Sequence, residues 1–424
     1  MKLKSELWDK MQYLFRNYYD RMMHGVLYLE NELDVEILKQ SISIMLDKIP
    51  VLRSEYVPAK IKPYWKVVEG DQLDKVFEFV KSTNPSEDAE AFLLTAFDSN
   101  QTPQIRIKLF RKEGKDTLAF LVNHMCFDGA DFKVFLYALA ELYTDIASGG
   151  DGSLVEIKSG SRANSQVYST MTPEKRKIAK GLYKNISKTK DLVAFPFTEN
   201  MEQVKSMFVK HYISPQTFDK MRAYGKEYGA TINDMVLAAY FRALYKIVNL
   251  NENQRITIPC MTDLRRHIDT NATEGFTNLT CLVPCTIDSI GPTFLATLKK
   301  VHGEMEHLKM DEFMGLASIP LLELAYRLFP AFLAEIVIKA GYVNPYIGMS
   351  NIGIIDDKKL IFNGIKSEDA FMTGAIKYKP YMQISFISFK KKLTLSIAIY
   401  GTQSDRAIIE KFFKFFDEEI EAVI

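Results

Sequence analysis

The stretch LVNHMCFDGA, residues 121–130, closes an apolar run with a histidine and an aspartate four residues apart, followed at once by a glycine. The run from Leu118 to Val122 has no polar alternation, which is the pattern of a strand covered on both faces. Upstream, Ile105, Ile107 and Leu109 alternate with Arg106 and Lys108, and a polar turn over 112–116 makes the two runs a hairpin. Downstream of Gly129, the residues Phe132, Phe135, Leu136, Leu139, Leu142 and Ile146 recur at helical spacing, so Asp128 stands where a helix N-cap belongs. The stretch therefore delivers an imidazole from the end of a buried strand into the turn before an amphipathic helix.

Working outward, 22–29 reads as a strand, and Asp34 caps a helix carrying Leu38, Ile42, Met45 and Ile49 until Pro50 stops it. A stretch rich in glycine and serine, from Ser148 to about Gln166, is the best linker candidate. The second half repeats the theme. A strand over 204–212 precedes Ser214-Pro215, an N-cap with proline at the first helical position. Thr231 with Asp234 then opens a helix through about Val248. Strands over 255–259 and 280–287 enclose the polar segment TDLRR, residues 262–266. Helices fill about 293–340, and a strand over 346–352, a hairpin over 382–399 and a helix from about Ser404 complete the chain. Strands and helices mix without strict βαβ alternation, so the expected class is α+β, with two sandwich subdomains at 1–165 and 166–424.

Composition bounds the function. The 424 residues include 54 basic and 53 acidic side chains, a net charge of +1, which offers no broad basic field for nucleic acid. Cys126, Cys260, Cys281 and Cys285 lie in apolar stretches without paired spacing, which points to buried free thiols rather than disulfides or zinc. His24 reads as a core residue, and His211, His267, His302 and His307 show no metal-pair spacing, so no metal is expected. The most apolar later segment, 319–343, is broken by Glu323, Arg327, Pro330, Glu335 and Lys339, so no membrane span is expected. The N-terminus lacks the apolar centre of a signal peptide, and the expected compartment is the cytoplasm.

With its neighbours in place, Asn123-His124-Met125-Cys126-Phe127-Asp128-Gly129 resembles the HHxxxDG signature shared by chloramphenicol acetyltransferase, the condensation domains of nonribosomal peptide synthetases, plant BAHD acyltransferases and alcohol acyltransferases. Leu52-Arg53-Ser54 resembles the "LRT" of condensation domains. Asp263-Leu264-Arg265 resembles the "DLR" of the alcohol acyltransferase and wax synthase branches, and Ser350-Asn351-Ile352-Gly353 resembles their late "SNxG". The sequence departs from the signature at Asn123, where condensation domains usually carry a first histidine, and it has no plant-type DFGWG motif.

The resemblance implies two chloramphenicol-acetyltransferase-like α/β sandwich subdomains meeting as a V-shaped pseudo-dimer around a central tunnel, active as a monomer. It implies acyl transfer from a coenzyme A or phosphopantetheinyl carrier-protein thioester to a small-molecule alcohol or amine, with no permanently bound cofactor. The chemistry agrees: neutral imidazole suits the removal of a proton from an attacking hydroxyl or amine near pH 7, and His124 is the candidate base. No serine elbow is present and Cys126 is read as packing, so direct attack without an acyl-enzyme is favoured. Asp128 is either a plain N-cap or, as the resemblance implies, the partner of an arginine that holds the loop. Arg265 is preferred, with Arg53 and Arg16 as competitors. Gly129 permits a tight turn, and Asn123, Ser350 and Asn351 are candidates for the tunnel wall or for oxyanion donors. Two other functions share these features: a non-catalytic module that recruits a carrier protein, and an epimerase that exchanges a proton beside a thioester.

Overall fold

The computed structural model describes residues 1–97, 103–182, 193–268 and 274–424. The strand that carries the motif, Lys115–Asn123, lies inside a six-stranded sheet, between Met22–Leu29 and Ile105–Lys112. It is antiparallel to both, with Met22 opposite Asn123 and Arg106 opposite Leu121. Leu118 to Val122 are completely buried because both faces are covered, as the unbroken apolar run predicts. Helices Val35–Lys48 and Gly129–Ala147 pack together over one face. Gly25 permits the close approach there: a Cβ on it would lie 2.8 Å from the Phe132 ring. Phe77–Lys81 extends the far edge in parallel to Ile105–Lys112.

The second sheet has seven strands. Thr280–Ile287, Ile256–Asp263, Met349–Ile355, Ile384–Phe389, Lys392–Gly401 and Lys377–Tyr378 follow in that order, and Lys205–Ile213 also pairs with Lys392–Gly401. Helices Ile232–Val248, Phe294–Met310 and Gln403–Glu421 cover it. Their starts follow the sequence: Ser214 caps the helix at Pro215, and Thr231 with Asp234 and Thr402 with Asp405 form reciprocal capping boxes. Ile256–Asp263 runs past the expected end at Pro259 because Asp263 still pairs with Thr280. Helices Ile319–Leu328 and Ala331–Gly341 form an antiparallel-style hairpin through Phe329-Pro330 and pack on helix Leu7–Leu14. A three-stranded sheet of Lys2–Lys4, Tyr64–Val67 and Ser54–Val57 lies beside them.

The fold is thus mixed helix and sheet in two sheet-rich subdomains, with two features that bind them together. Strand Ile365–Thr373, from late in the chain, leaves the second sheet and pairs antiparallel with Met22–Leu29, completing the first sheet with Ile361–Phe362 outside it. The glycine- and serine-rich stretch after Ala147 also turns back: Ser159 bridges Gly275 and Ser161 bridges Glu274. Among the described residues no helix is long and apolar enough to cross a membrane.

Candidate active site

From Leu121 to Asp128 every residue is buried except His124. The backbone holds it there: its N–H donates to the Arg21 carbonyl at 2.8 Å, and the Cys126 N–H closes the turn on the Asn123 carbonyl at 2.9 Å. Nδ1 lies 3.1 Å from the Phe127 carbonyl oxygen and 3.1 Å from Asn278 Nδ2. A carbonyl oxygen can only accept, and the Asn278 amide already donates to the His124 carbonyl at 3.0 Å while its oxygen accepts from Thr280 at 3.0 Å. Nδ1 therefore carries the proton, and the Nε2 lone pair faces outward with no protein partner among the described residues. Burial lowers the His124 pKa below its ordinary value and the Lys377 charge adds to the effect, against smaller opposing contributions that include the Asp128 charge. The imidazole is neutral at pH 7.

Asp128 faces the other way. Its Oδ1 accepts from the Ala130 and Asp131 N–H groups at 3.0 and 3.1 Å, so it is the N-cap. Its Oδ2 accepts from Leu279 N–H at 2.7 Å and from Arg265 Nη1 at 2.8 Å, so it is also half of an ion pair. Burial alone would raise this carboxyl, but the Arg265 charge and the hydrogen bonds outweigh it and hold the pKa below the usual carboxylate range. The same guanidinium reaches Asp131 through Nη2 at 2.9 Å and Glu274 through Nε at 3.3 Å. Lys158 joins Asp131 and Glu274 from the turned-back stretch. Asp131 is pushed up to about 6 by burial and by the neighbouring Asp128 charge. Of the competing arginines, Arg53 donates to the Val68 carbonyl and Arg16 lies 3.8 Å from Glu335.

Arg162, from the same stretch, donates to the Met125 and Cys126 carbonyls at 3.2 and 3.1 Å while paired with buried Asp9 at 2.9 Å. The turn is thereby clamped from beneath. Cys126 is completely buried, with its sulfur 3.8 Å from the Val51 carbonyl and its thiol pKa pushed up by burial.

On the opposite side lies a second group of charges. Asp20 accepts from the Met22 and Ile376 N–H groups through one oxygen, and its other oxygen is 3.8 Å from His24 Nε2. Lys377 places its ammonium 3.8 Å from the centre of the Tyr19 ring and has no ion pair within 4 Å among the described residues. Burial raises Asp20 to about 7, lowers Lys377 to about 8 and lowers the buried His24 to about 4. His24 is a core residue, as read, with Nδ1 3.0 Å from the Gly374 carbonyl.

The structure brings His124, Asp128, Gly129 and Arg265 together. Asn123 is a correction to the wall position: it is completely buried, and its amide binds Gln104 at 2.6 Å and the Met125 N–H at 3.0 Å, so it builds the turn. Ser350 and Asn351 lie on the strand Met349–Ile355, which crosses the start of the motif helix. Lys133 donates to the Ile352 carbonyl at 2.7 Å, and Asn351 is bonded to Asn233 and Gly353. Sequence reasoning missed Asn278, Asp131, Lys158 and Arg162. The only trace of the first was a polar pair, Thr277-Asn278, ahead of a strand. Among the described residues no group of three or more His, Cys, Asp or Glu can hold a metal.

Comparison with known proteins places this geometry. The condensation domain family model matches residues 11–320. Surfactin synthase subunit 2 of Bacillus subtilis (strain 168) is 32% identical over 123 residues, which is 28% of this chain and 3% of that protein, so the chain spans a small part of its relative. Two solved structures share the fold over almost the whole length. Trichothecene 15-O-acetyltransferase from Fusarium sporotrichioides has a TM-score of 0.70 and 13% identity, covering 98% of this chain and 94% of its own. A variant of the starter condensation domain of rhizomide synthetase, in complex with C8-CoA, has a TM-score of 0.68 and 12% identity, covering 99% and 95%. The fold and the site agree with the family model, whose match over residues 11–320 shows that this chain belongs to the condensation domain family.

Proposed function

We propose that the protein transfers an acyl group from a thioester to a hydroxyl or amine, with His124 as general base. The observation that carries this reading is the isolation of His124: a neutral imidazole, its Nδ1 proton fixed on the Phe127 carbonyl, is the one residue from Leu121 to Asp128 that is only half-buried. Nε2 takes the proton as the acceptor oxygen or nitrogen attacks the thioester carbonyl. Collapse of the tetrahedral intermediate breaks the C–S bond, and the imidazolium returns the proton to the departing thiolate. The products are an ester or amide and a free thiol. An acyl-enzyme on Cys126 is disfavoured because that thiol is completely buried and held protonated.

Coenzyme A or a phosphopantetheinyl carrier protein is the proposed donor, since both present the thioester on a thin arm that fits a tunnel between the halves, 1–165 and 166–424. The C8-CoA complex of one structural neighbour and the acetyl transfer for which another is named support it. Asp128 and Arg265 position the loop, while Ser350 and Asn351 border the acceptor path beside Gly129.

The test is thiol release from acyl-coenzyme A, acyl-pantetheine and acyl-carrier protein, each with alcohol and amine acceptors. Acceptor-dependent release lost in His124→Ala is the expected result. Release from none, with tight carrier binding, would favour a recruiting module. Deuterium uptake beside the thioester without an acceptor would favour an epimerase.

A further inference from the structure

The hairpin of Ile319–Leu328 and Ala331–Gly341 is apolar on the wrong side for a soluble surface. Its inner face is accounted for: Ala334 and Ile338 are buried against helix Leu7–Leu14 and its neighbours, and Ala331 is buried as well. Its outer face shows Leu328, Phe332, Leu333, Ile336 and Val337, with Leu328 62% and Ile336 60% exposed. A surface helix ordinarily turns polar residues outward, and one that is apolar all round requires a second apolar environment. The neighbouring loop continues the patch. The Ile61 and Lys60 carbonyls accept from the Ala331 and Phe332 N–H groups at 3.1 and 3.2 Å, capping the helix and presenting Ile61, 68% exposed, beside its start.

Charge selects the occupant. Lys60, Lys62, Arg327 and Lys339 are exposed around the apolar residues, and none has an ion pair among the described residues. The hairpin's two acidic residues are withdrawn: Glu335 lies 3.8 Å from Arg16, and Glu323 is partly buried with its pKa raised by that burial. A second copy on the same patch would set these cations against themselves. An anionic lipid surface takes the apolar side chains and the cations together, without requiring a complementary shape.

We infer that the outer face of this hairpin, with the Lys60–Lys62 loop, seats the protein on the surface of an anionic bilayer, lying on it without spanning it. This does not depend on the chemistry at His124.

Co-sedimentation of the full chain with phosphatidylcholine vesicles, with and without about 30 mol% phosphatidylglycerol, tests it. Binding is expected to need the anionic lipid and to weaken with salt. Ile336→Glu with Val337→Glu should reduce it at least about tenfold, and Lys60→Glu with Lys62→Glu by about fivefold per lysine. Both variants change exposed residues, and an unchanged unfolding temperature checks the fold. Absence of vesicle binding, equal binding to phosphatidylcholine alone, or binding unaffected by either variant would overturn the inference. So would a self-associated form, or a complex with an acidic carrier protein, that is lost in these variants while vesicles are ignored.

Discussion

Two clusters of buried charge flank His124, and they resolve the same cost of desolvation in opposite ways. On one side Asp128, Asp131, Arg265, Lys158, Asp263 and Glu274 form a network in which both Asp128 oxygens are bonded twice and one guanidinium serves four carboxylates. On the other, Asp20, His24 and Lys377 stand apart, with no pair closer than 3.8 Å, and each pKa is shifted in the direction that favours the uncharged form. Buried charge that is matched fixes a shape, whereas buried charge left unmatched adjusts its protonation instead. The histidine lies between a clamp and a titratable wall.

The largest effect should come from the residue that belongs to neither cluster. His124→Ala is expected to lower turnover by about 100- to 10,000-fold while leaving the unfolding temperature nearly unchanged. A comparable loss of stability would assign the histidine to the clamp. Activity of the parent protein should persist on acidification until the pH passes below the ordinary imidazole range, because the His124 pKa is lowered and only the neutral ring accepts the proton.

Breaking the clamp should appear in stability first. Asp128→Ala and Arg265→Ala are each expected to cost about 3–5 kcal/mol, since each leaves a buried charge without its partner. The double variant should cost less than their sum in denaturant unfolding. Strict additivity would reduce Asp128 to an N-cap.

The opposite wall makes a pH prediction in which its groups pull in opposite directions. Asp20 is raised to about 7, so its own contribution to stability falls as pH rises between about 4 and 7, while His24, lowered to about 4, opposes it between about 4 and 6.5, where the unfolded chain binds the extra proton. Lys377 is lowered to about 8, so the unfolded chain binds more protons between about 8 and 10.5, and stability recovers there. Asp20→Asn should remove the falling contribution and leave stability rising with pH between about 4 and 6.5 in thermal unfolding measured against pH. An unchanged profile would show that the two clusters do not differ as described.

The smallest effect tests the link between halves. Asn278→Ala removes the amide that donates to the His124 carbonyl and should lower kcat about fivefold with KM unchanged, the weight of one neutral hydrogen bond of about 1 kcal/mol. A change in KM alone would make Asn278 a substrate contact.

The sequence made the local half of this site legible. A strand end, an N-cap and a helix stripe lie within residues 118–146, so periodicity and capping place His124 and Asp128, and the family resemblance supplied Arg265 from far along the chain. Asn278, Lys158 and Arg162 carried no comparable signal. The latter two stand in a stretch whose glycine and serine content reads as a linker, because composition reports local flexibility and not what a side chain reaches across space. Strand 365–373 went unassigned for a related reason: its partner, Met22–Leu29, is more than 300 residues away. The apolar run at 319–343 is interrupted by charges and Pro330, but only the fold shows which of its residues face outward.

That displaced strand also governs how the molecule can be divided. Met22–Leu29 is almost wholly buried and pairs on one side with the motif strand and on the other with Ile365–Thr373. Cutting the chain near residue 165 would leave the first piece with an apolar, unpaired strand edge, the kind of template on which chains aggregate. Mixing the two pieces should rescue both by strand complementation. The halves resemble separate subdomains, yet the first cannot be finished until the last sixth of the chain has been made, which sets the order of assembly on the ribosome.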